Sequence, residues 1–220
     1  MTLLRFPDPR LASPEGIVAI GGRPTTANLL NAYQQGIFPW PIEGWPLPWF
    51  CPPERAVLEF KDLHIPRRLT RFRKGAPFTF TIDQDFSGVI RGCADAARPN
   101  EDGTWINAEM IRAYTEMHRA GHAHSVEAWE NGELVGGMYG VDAGGAFAGE
   151  SMYFTRPNAS KLALLHLIEH LAARGLDWLD IQVTTPHMET LGARVISRDA
   201  FLDKLEDTLQ RKLRLFDKRE

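Results

Sequence analysis

Three side chains able to handle a proton or an amine stand in the C-terminal half: Glu150 in Gly149-Glu150-Ser151, and Asp180 and Gln182 in Asp180-Ile181-Gln182. Alternation along a strand predicts Asp180 and Gln182 on one face, with Leu179, Ile181 and Val183 on the other. A carboxylate beside a carboxamide can hold the amide so that its oxygen points at an incoming donor. The same pair can equally be a strand end satisfied by neighbouring backbone. Glu150 lies among small and aromatic residues and is suited to receive an amine or a cationic side chain; a salt bridge to an arginine is the plainer alternative.

His166-x-x-Glu169-His170 has the spelling of an inverted zinc-protease motif. The helix in which it lies argues otherwise. Leu162, Leu164, Leu165, Leu167, Ile168 and Leu171 make its apolar side, and His166, Glu169, His170 and Arg174 form a polar stripe without a third ligand or a supporting carboxylate. No metal is expected. His122 and His124, at a strand start, read as structural. Cys51 and Cys93 are far apart, form no CxxC pair and lack a nucleophile's setting.

These residues sit in a chain of 220 amino acids, 44% hydrophobic and 24% charged, the composition of a soluble globular protein. No apolar run approaches the ~18 residues of a membrane span, and MTLLRFPDPR has no signal-peptide core. With two cysteines far apart, zinc ribbons and redox pairs are excluded, no disulfide scaffold is expected, and a reduced cytoplasmic setting fits. The net charge of −3 is no bulk signature of a nucleic-acid binder. Charge is concentrated in PRRLTRFRK, however, where Arg67, Arg68, Arg71, Arg73 and Lys74 occur without an acid. The segment is either a solvated helix face or a patch for phosphates.

The elements that must position these groups follow from caps, turns and periodicity. Thr25 or Thr26 caps a helix that runs to Gln35 and stops at Gly36. GIFPWPIEGWPLPWFCPPERAV, with six prolines, cannot be regular, and its three tryptophans and two phenylalanines make it a packed segment whose aromatics are either core or a wall on which a base stacks. Strands are expected over 57–60 and 78–82, and helices over 66–74, 86–97 and 107–120. Asn131-Gly132 joins strands 124–129 and 134–141 in a hairpin. A third strand covers 146–154, then a helix to about Gly175, a strand at 179–183, a short helix at 185–191, a last strand at 193–197 and a charged amphipathic tail helix. This is an α+β pattern: a small irregular N-terminal domain (1–60) and a domain (61–220) with one central, mostly antiparallel sheet in the order of an acetyltransferase-like (GNAT-like) frame. Such a frame normally opens its long helix with a glycine-rich loop for coenzyme A phosphates. Here that segment is Thr155-Arg156-Pro157-Asn158-Ala159-Ser160, without glycine, which points to another acyl donor.

GIVAIGG, NLLNAYQQGIFPW, PPERAVLEF, GTWI, AYTEMHRAGHAHSVEAW, ELVGGMYGV, GESMYF, NASKLALLHL, DIQV and LGA…ISRDAF occur in one order over residues 5–203. In these motifs the chain resembles the leucyl/phenylalanyl-tRNA–protein transferases. The resemblance implies a cytoplasmic, monomeric enzyme that takes leucine or phenylalanine, and less well methionine, from aminoacyl-tRNA and adds it to proteins with N-terminal Arg or Lys, marking them for degradation. It implies no cofactor and no metal. It makes Asp180 and Gln182 the catalytic pair, Glu150 the acceptor-side acid, and Met138, Phe147, Leu167, Leu179 and Ile181 the pocket for the donor side chain. It sets Trp49, Phe50 and Trp105 at the tRNA 3′ end, and the basic run 67–74 on tRNA phosphates. A coenzyme A-dependent N-acyltransferase is the alternative. The chain departs from the family's usual Asp-Cys-Gln at Ile181 and from its usual residues at Tyr153 and Phe154, which bears on substrate preference.

Overall fold

A computed structural model describes residues 3–96 and 104–217. Position 97, the expected end of one helix, and Gly103 of GTWI lie outside them. The chain begins with β1 (Ile17–Ile20), α1 (Thr26–Tyr33), β2 (Phe38–Pro39) and β3 (Pro48–Phe50). The Thr25 hydroxyl caps α1 by accepting from the Asn28 N–H. These strands form a three-stranded sheet in the order β1-β3-β2. Up to Pro53 the proline-rich stretch makes only two minimal strands, because proline cannot donate to a ladder, while its last residues, 54–57, enter the strand that follows.

β4 (Glu54–Glu59) opens the larger sheet, followed by α2 (Arg67–Arg73), β5 (Thr79–Ile82), α3 (Phe86–Asp95), α4 (Ala108–Arg119), β6 (Ala123–Glu130), β7 (Glu133–Asp142) and β8 (Phe147–Phe154). The chain ends in α5 (Ala159–Ala173), β9 (Trp178–Gln182), α6 (Pro186–Thr190), β10 (Arg194–Ser197) and α7 (Arg198–Gln210). The sheet order is β10-β4-β9-β8-β7-β6-β5. Every described pairing is antiparallel except β8 with β9. The fold is thus α+β, with the expected helix, three-strand meander, helix and strand, and that strand pairs in parallel with β8. One boundary moves. β4 lies between β10 and β9, so the large sheet already includes residues before the expected division at 60.

Asn131 and Gly132 both adopt positive φ at the β6–β7 hairpin, as the twist of that turn requires. α5 packs on the sheet through Leu162, Leu164, Leu165, Leu167, Ile168 and Leu171, all buried. The chain after α7 folds back over it: the His170 ring nitrogen Nε2 lies 2.9 Å from the Leu215 carbonyl, and the Phe216 ring stacks on both His170 and His124.

Candidate active site

Two strand defects build the site. Along β8 the register passes from Ser151↔Tyr139 to Gly149↔Gly140, so Glu150 is the extra residue of a bulge. Along β9 it passes from Asp180↔Val57 to Gln182↔Ala56, so Ile181 is extra. A bulge interrupts alternation and re-aims side chains. Gly149, Glu150 and Ser151 consequently all line one cavity, and so do Ile181 and Gln182. β8 and β9 pair at Ala148↔Asp180. Beyond that pair a side-chain hydrogen bond spans the two strands: Gln182 Nε2 donates to Glu150 Oε1 at 2.6 Å.

Gln182 itself has φ of +59°. The Val183 N–H donates to the Ile181 carbonyl at 2.6 Å, closing a γ-turn around Gln182. A left-handed residue other than glycine costs ~1–3 kcal/mol and persists only where its surroundings over-determine it. Here the Gln182 N–H donates to Asp180 Oδ1 at 2.9 Å. Arg55 grips the same carboxylate from behind, Nε to Oδ1 at 2.9 Å and Nη2 to Oδ2 at 2.7 Å. Both side chains are buried, at 1% and 8% exposure. Arg55 Nη1 also donates to the Gly36 carbonyl at 3.2 Å, and the guanidinium lies 4.7 Å and 4.3 Å from the ring centres of Phe38 and Phe201. Removing one member of a buried pair strands the other charge, at ~3–5 kcal/mol.

The expected contact between Asp180 and the Gln182 amide is therefore not made. Asp180 holds the backbone of Gln182 and Glu150 holds its amide. The left-handed turn takes Gln182 off the face that alternation assigned to it. Arg55, the partner of Asp180, was visible in the sequence only as one arginine of PPERAVLEF.

Glu150 Oε2 accepts from the Tyr114 hydroxyl at 3.0 Å, and the Tyr33 and Tyr114 hydroxyls are 2.6 Å apart. Burial pushes the Glu150 carboxyl up to about 7; the Asp180 charge adds to the rise, while hydrogen bonds from the surrounding hydroxyls and from Gln182 oppose it. Burial also pushes both tyrosines well above their ordinary value, so they stay protonated donors. The cavity beside these groups measures about 390 Å³ and is otherwise lined chiefly by Met138, Met152, Leu164, Leu179, Ile181 and Met188, with Trp40 and Trp105. The two indoles stack at 5.6 Å with 25° between their planes. An apolar chamber, an aromatic surface and a carboxyl-held amide together suit an uncharged side chain, a planar ring and an amine.

Residues 57–206 match the family described as leucyl/phenylalanyl-tRNA protein transferase, and residues 22–53 match its N-terminal domain. The chain belongs to the leucyl/phenylalanyl-tRNA–protein transferase family. It is 48% identical over 206 residues to the leucyl/phenylalanyl-tRNA–protein transferase of Anaeromyxobacter sp., covering 94% of this chain and 88% of that one. It is 47% identical over 216 residues to that of Oleidesulfovibrio alaskensis, covering 96% and 87%. Among solved structures, L-PGS from Bacillus licheniformis is 15% identical with a TM-score of 0.42, over 68% of this chain and 48% of that chain.

Of the five residues expected to form the donor side-chain pocket, Met138, Leu179 and Ile181 line the cavity. Phe147 and Leu167 do not; they are core residues at 2% and 1% exposure, Phe147 packing on Phe216. Trp49 is fully buried, its Nε1 donating to the Gly21 carbonyl at 2.9 Å, and Phe50 stacks on Phe38. Neither lines the cavity. The tryptophan beside Trp105 is Trp40, which the sequence offered only as part of an aromatic, proline-rich stretch. Of the departures, Ile181 faces the cavity, whereas Tyr153 packs against Gly92 and Phe154 is exposed.

Arg67, Arg68, Arg71, Arg73 and Lys74 are all exposed around the buried Leu69. Arg73 pairs with Glu169 at 2.6 Å; among the described residues the other four make no ion pair. The His166-x-x-Glu169-His170 stripe is used piecemeal. His166 stacks on Phe80, Glu169 holds Arg73 and His170 holds the Leu215 carbonyl.

Proposed function

We propose that the cleft joins the leucine or phenylalanine of an aminoacyl-tRNA to the N-terminal amine of a protein that begins with Arg or Lys. The observation that carries this reading is the Gln182–Glu150 hydrogen bond at the edge of an apolar cavity. Glu150 Oε1 accepts from the amide nitrogen of Gln182 and so holds that nitrogen toward itself. The amide oxygen is then the group that accepts an N–H from the incoming amine and aims its lone pair. That amine has a reference pKa near ~8, so a useful neutral fraction exists at pH 7.

The donor ester is already activated. The amine nitrogen bonds to the ester carbonyl carbon, the carbon–oxygen bond to the terminal ribose breaks, and the departing hydroxyl or its 2′ neighbour takes the proton the amine loses. Orientation is the main contribution asked of the protein. Glu150 meets the positive charge of the acceptor's first residue. The apolar lining accepts leucine and phenylalanine, and methionine less well, since a methylene is worth only ~1–3 kcal/mol. Trp40 and Trp105 offer ring faces to the terminal adenosine, and the α2 cations take backbone phosphates. The setting is the cytoplasm, the protein acts as a monomer, and its product enters N-terminal-residue-dependent degradation.

The coenzyme A reading is disfavoured by the start of α5, where the segment 155–160 has no glycine and Pro157 lacks an N–H donor. Radiolabelled leucyl-tRNA is the discriminating reagent. Label should move to a protein with N-terminal Arg and not to its N-terminal Ala counterpart, without ATP or coenzyme A. Transfer from acyl-coenzyme A, or equal labelling of both acceptors, contradicts the proposal.

A further inference from the structure

Arg55 does not line the cavity, yet its guanidinium is engaged on every side: Asp180 by two bonds, the Gly36 carbonyl by a third, and the Phe38 and Phe201 rings on its faces. These partners come from three separated stretches, the segment after α1, strand β9 and helix α7. Asp180 Oδ1 accepts from both Arg55 Nε and the Gln182 N–H. That shared oxygen links the guanidinium to the strained turn.

We propose that Arg55 is a positioning residue for aminoacyl transfer, clamping Asp180 so that the left-handed turn presents the Gln182 amide to Glu150 and the cavity. The inference rests on the reading that Gln182 serves the reaction. A carboxylate gripped at both oxygens cannot rotate, so its Oδ1 stays under the Gln182 N–H. Were it free to turn, that N–H would lose its partner and Gln182 would relax toward the extended conformation of its strand. Its side chain would then swing to the other face of β9, and the bond to Glu150 would be lost. Only a planar fork supplies this grip. Lysine brings the charge without the two parallel bonds.

The test compares Arg55→Lys, Arg55→Met, Asp180→Asn, the Arg55→Met/Asp180→Asn double variant and Gln182→Ala in single-turnover transfer from leucyl-tRNA, with donor affinity and thermal unfolding measured beside it. Arg55→Lys should fold, bind leucyl-tRNA within threefold of the parent and transfer at least tenfold more slowly. The double variant should be no slower than the slower of its two single variants, because both act through one clamp. A parental rate in Arg55→Lys, or losses that multiply in the double variant, overturns the assignment. So does failure of both Arg55 variants to fold, which would make Arg55 a residue of the scaffold. Gln182→Ala separates the layers: if it keeps the parental rate, the reading of Gln182 fails; if it slows while Arg55→Lys does not, only the role of Arg55 fails.

Discussion

Burial pushes the Glu150 carboxyl up to about 7, so near neutral pH it is divided between protonated and ionised forms. A group whose folded pKa lies above its unfolded value holds a proton that the unfolded chain has released. Its contribution to stability is complete below the unfolded value of 4.5 and is lost as pH rises toward 7. The parent should therefore lose thermal stability between about pH 4.5 and pH 7, and Glu150→Gln should flatten that decline while keeping the contacts to Tyr114 and Gln182. It should also weaken acceptor binding and leave donor binding unchanged. An identical pH slope in the two proteins, or weaker donor binding alone, contradicts the account of Glu150. The residue types that meet around the cleft were legible as candidates: one acid in Gly-Glu-Ser, one acid and one amide in Asp-Ile-Gln. Their partners were not. Arg55 lies 125 positions from Asp180, and no local pattern ties the two together. Tyr33 and Tyr114 likewise meet only through the tertiary fold.

Helices and hairpins were readable because their signals are local. Thr25, Asn107, Thr185 and Ser197 each cap a helix through their own side chain, and Asn131-Gly132 carries the positive φ values of its turn. The bulges at Glu150 and Ile181 were not readable, since register depends on a partner strand far along the chain. Alternation failed at the two places where it mattered for the site. The run of cations was readable as a patch, and α2 exposes all of it. If α2 lies on tRNA phosphates, each contact contributes ~0.7–0.9 to the slope of log affinity against log salt. Replacing Arg67, Arg68 and Arg71 together with alanine should lower that slope by about 2 and weaken all acceptable aminoacyl-tRNAs alike. A parental slope would return the patch to a merely solvated surface.

The site draws on the whole chain. The stretch before β3 supplies Tyr33, Gly36, Phe38 and Trp40, β4 supplies Arg55, the meander supplies Glu150, and α7 supplies Phe201. The sequence left the aromatic N-terminal stretch open between core packing and a wall for a stacked base. Trp40 does reach the cavity, while Trp49, in the same stretch, is buried with its nitrogen satisfied. Proline-rich chain has no period from which facing can be read, so only the assembled molecule distinguishes the two tryptophans. The central claim is that this assembly exists to aim an amine with the amide of Gln182. Its most direct measurement is the single-turnover rate of leucine transfer to an N-terminal Arg protein by Gln182→Ala at saturating leucyl-tRNA. The account predicts a loss of tenfold or more with donor binding intact, and a rate equal to the parent's would contradict it.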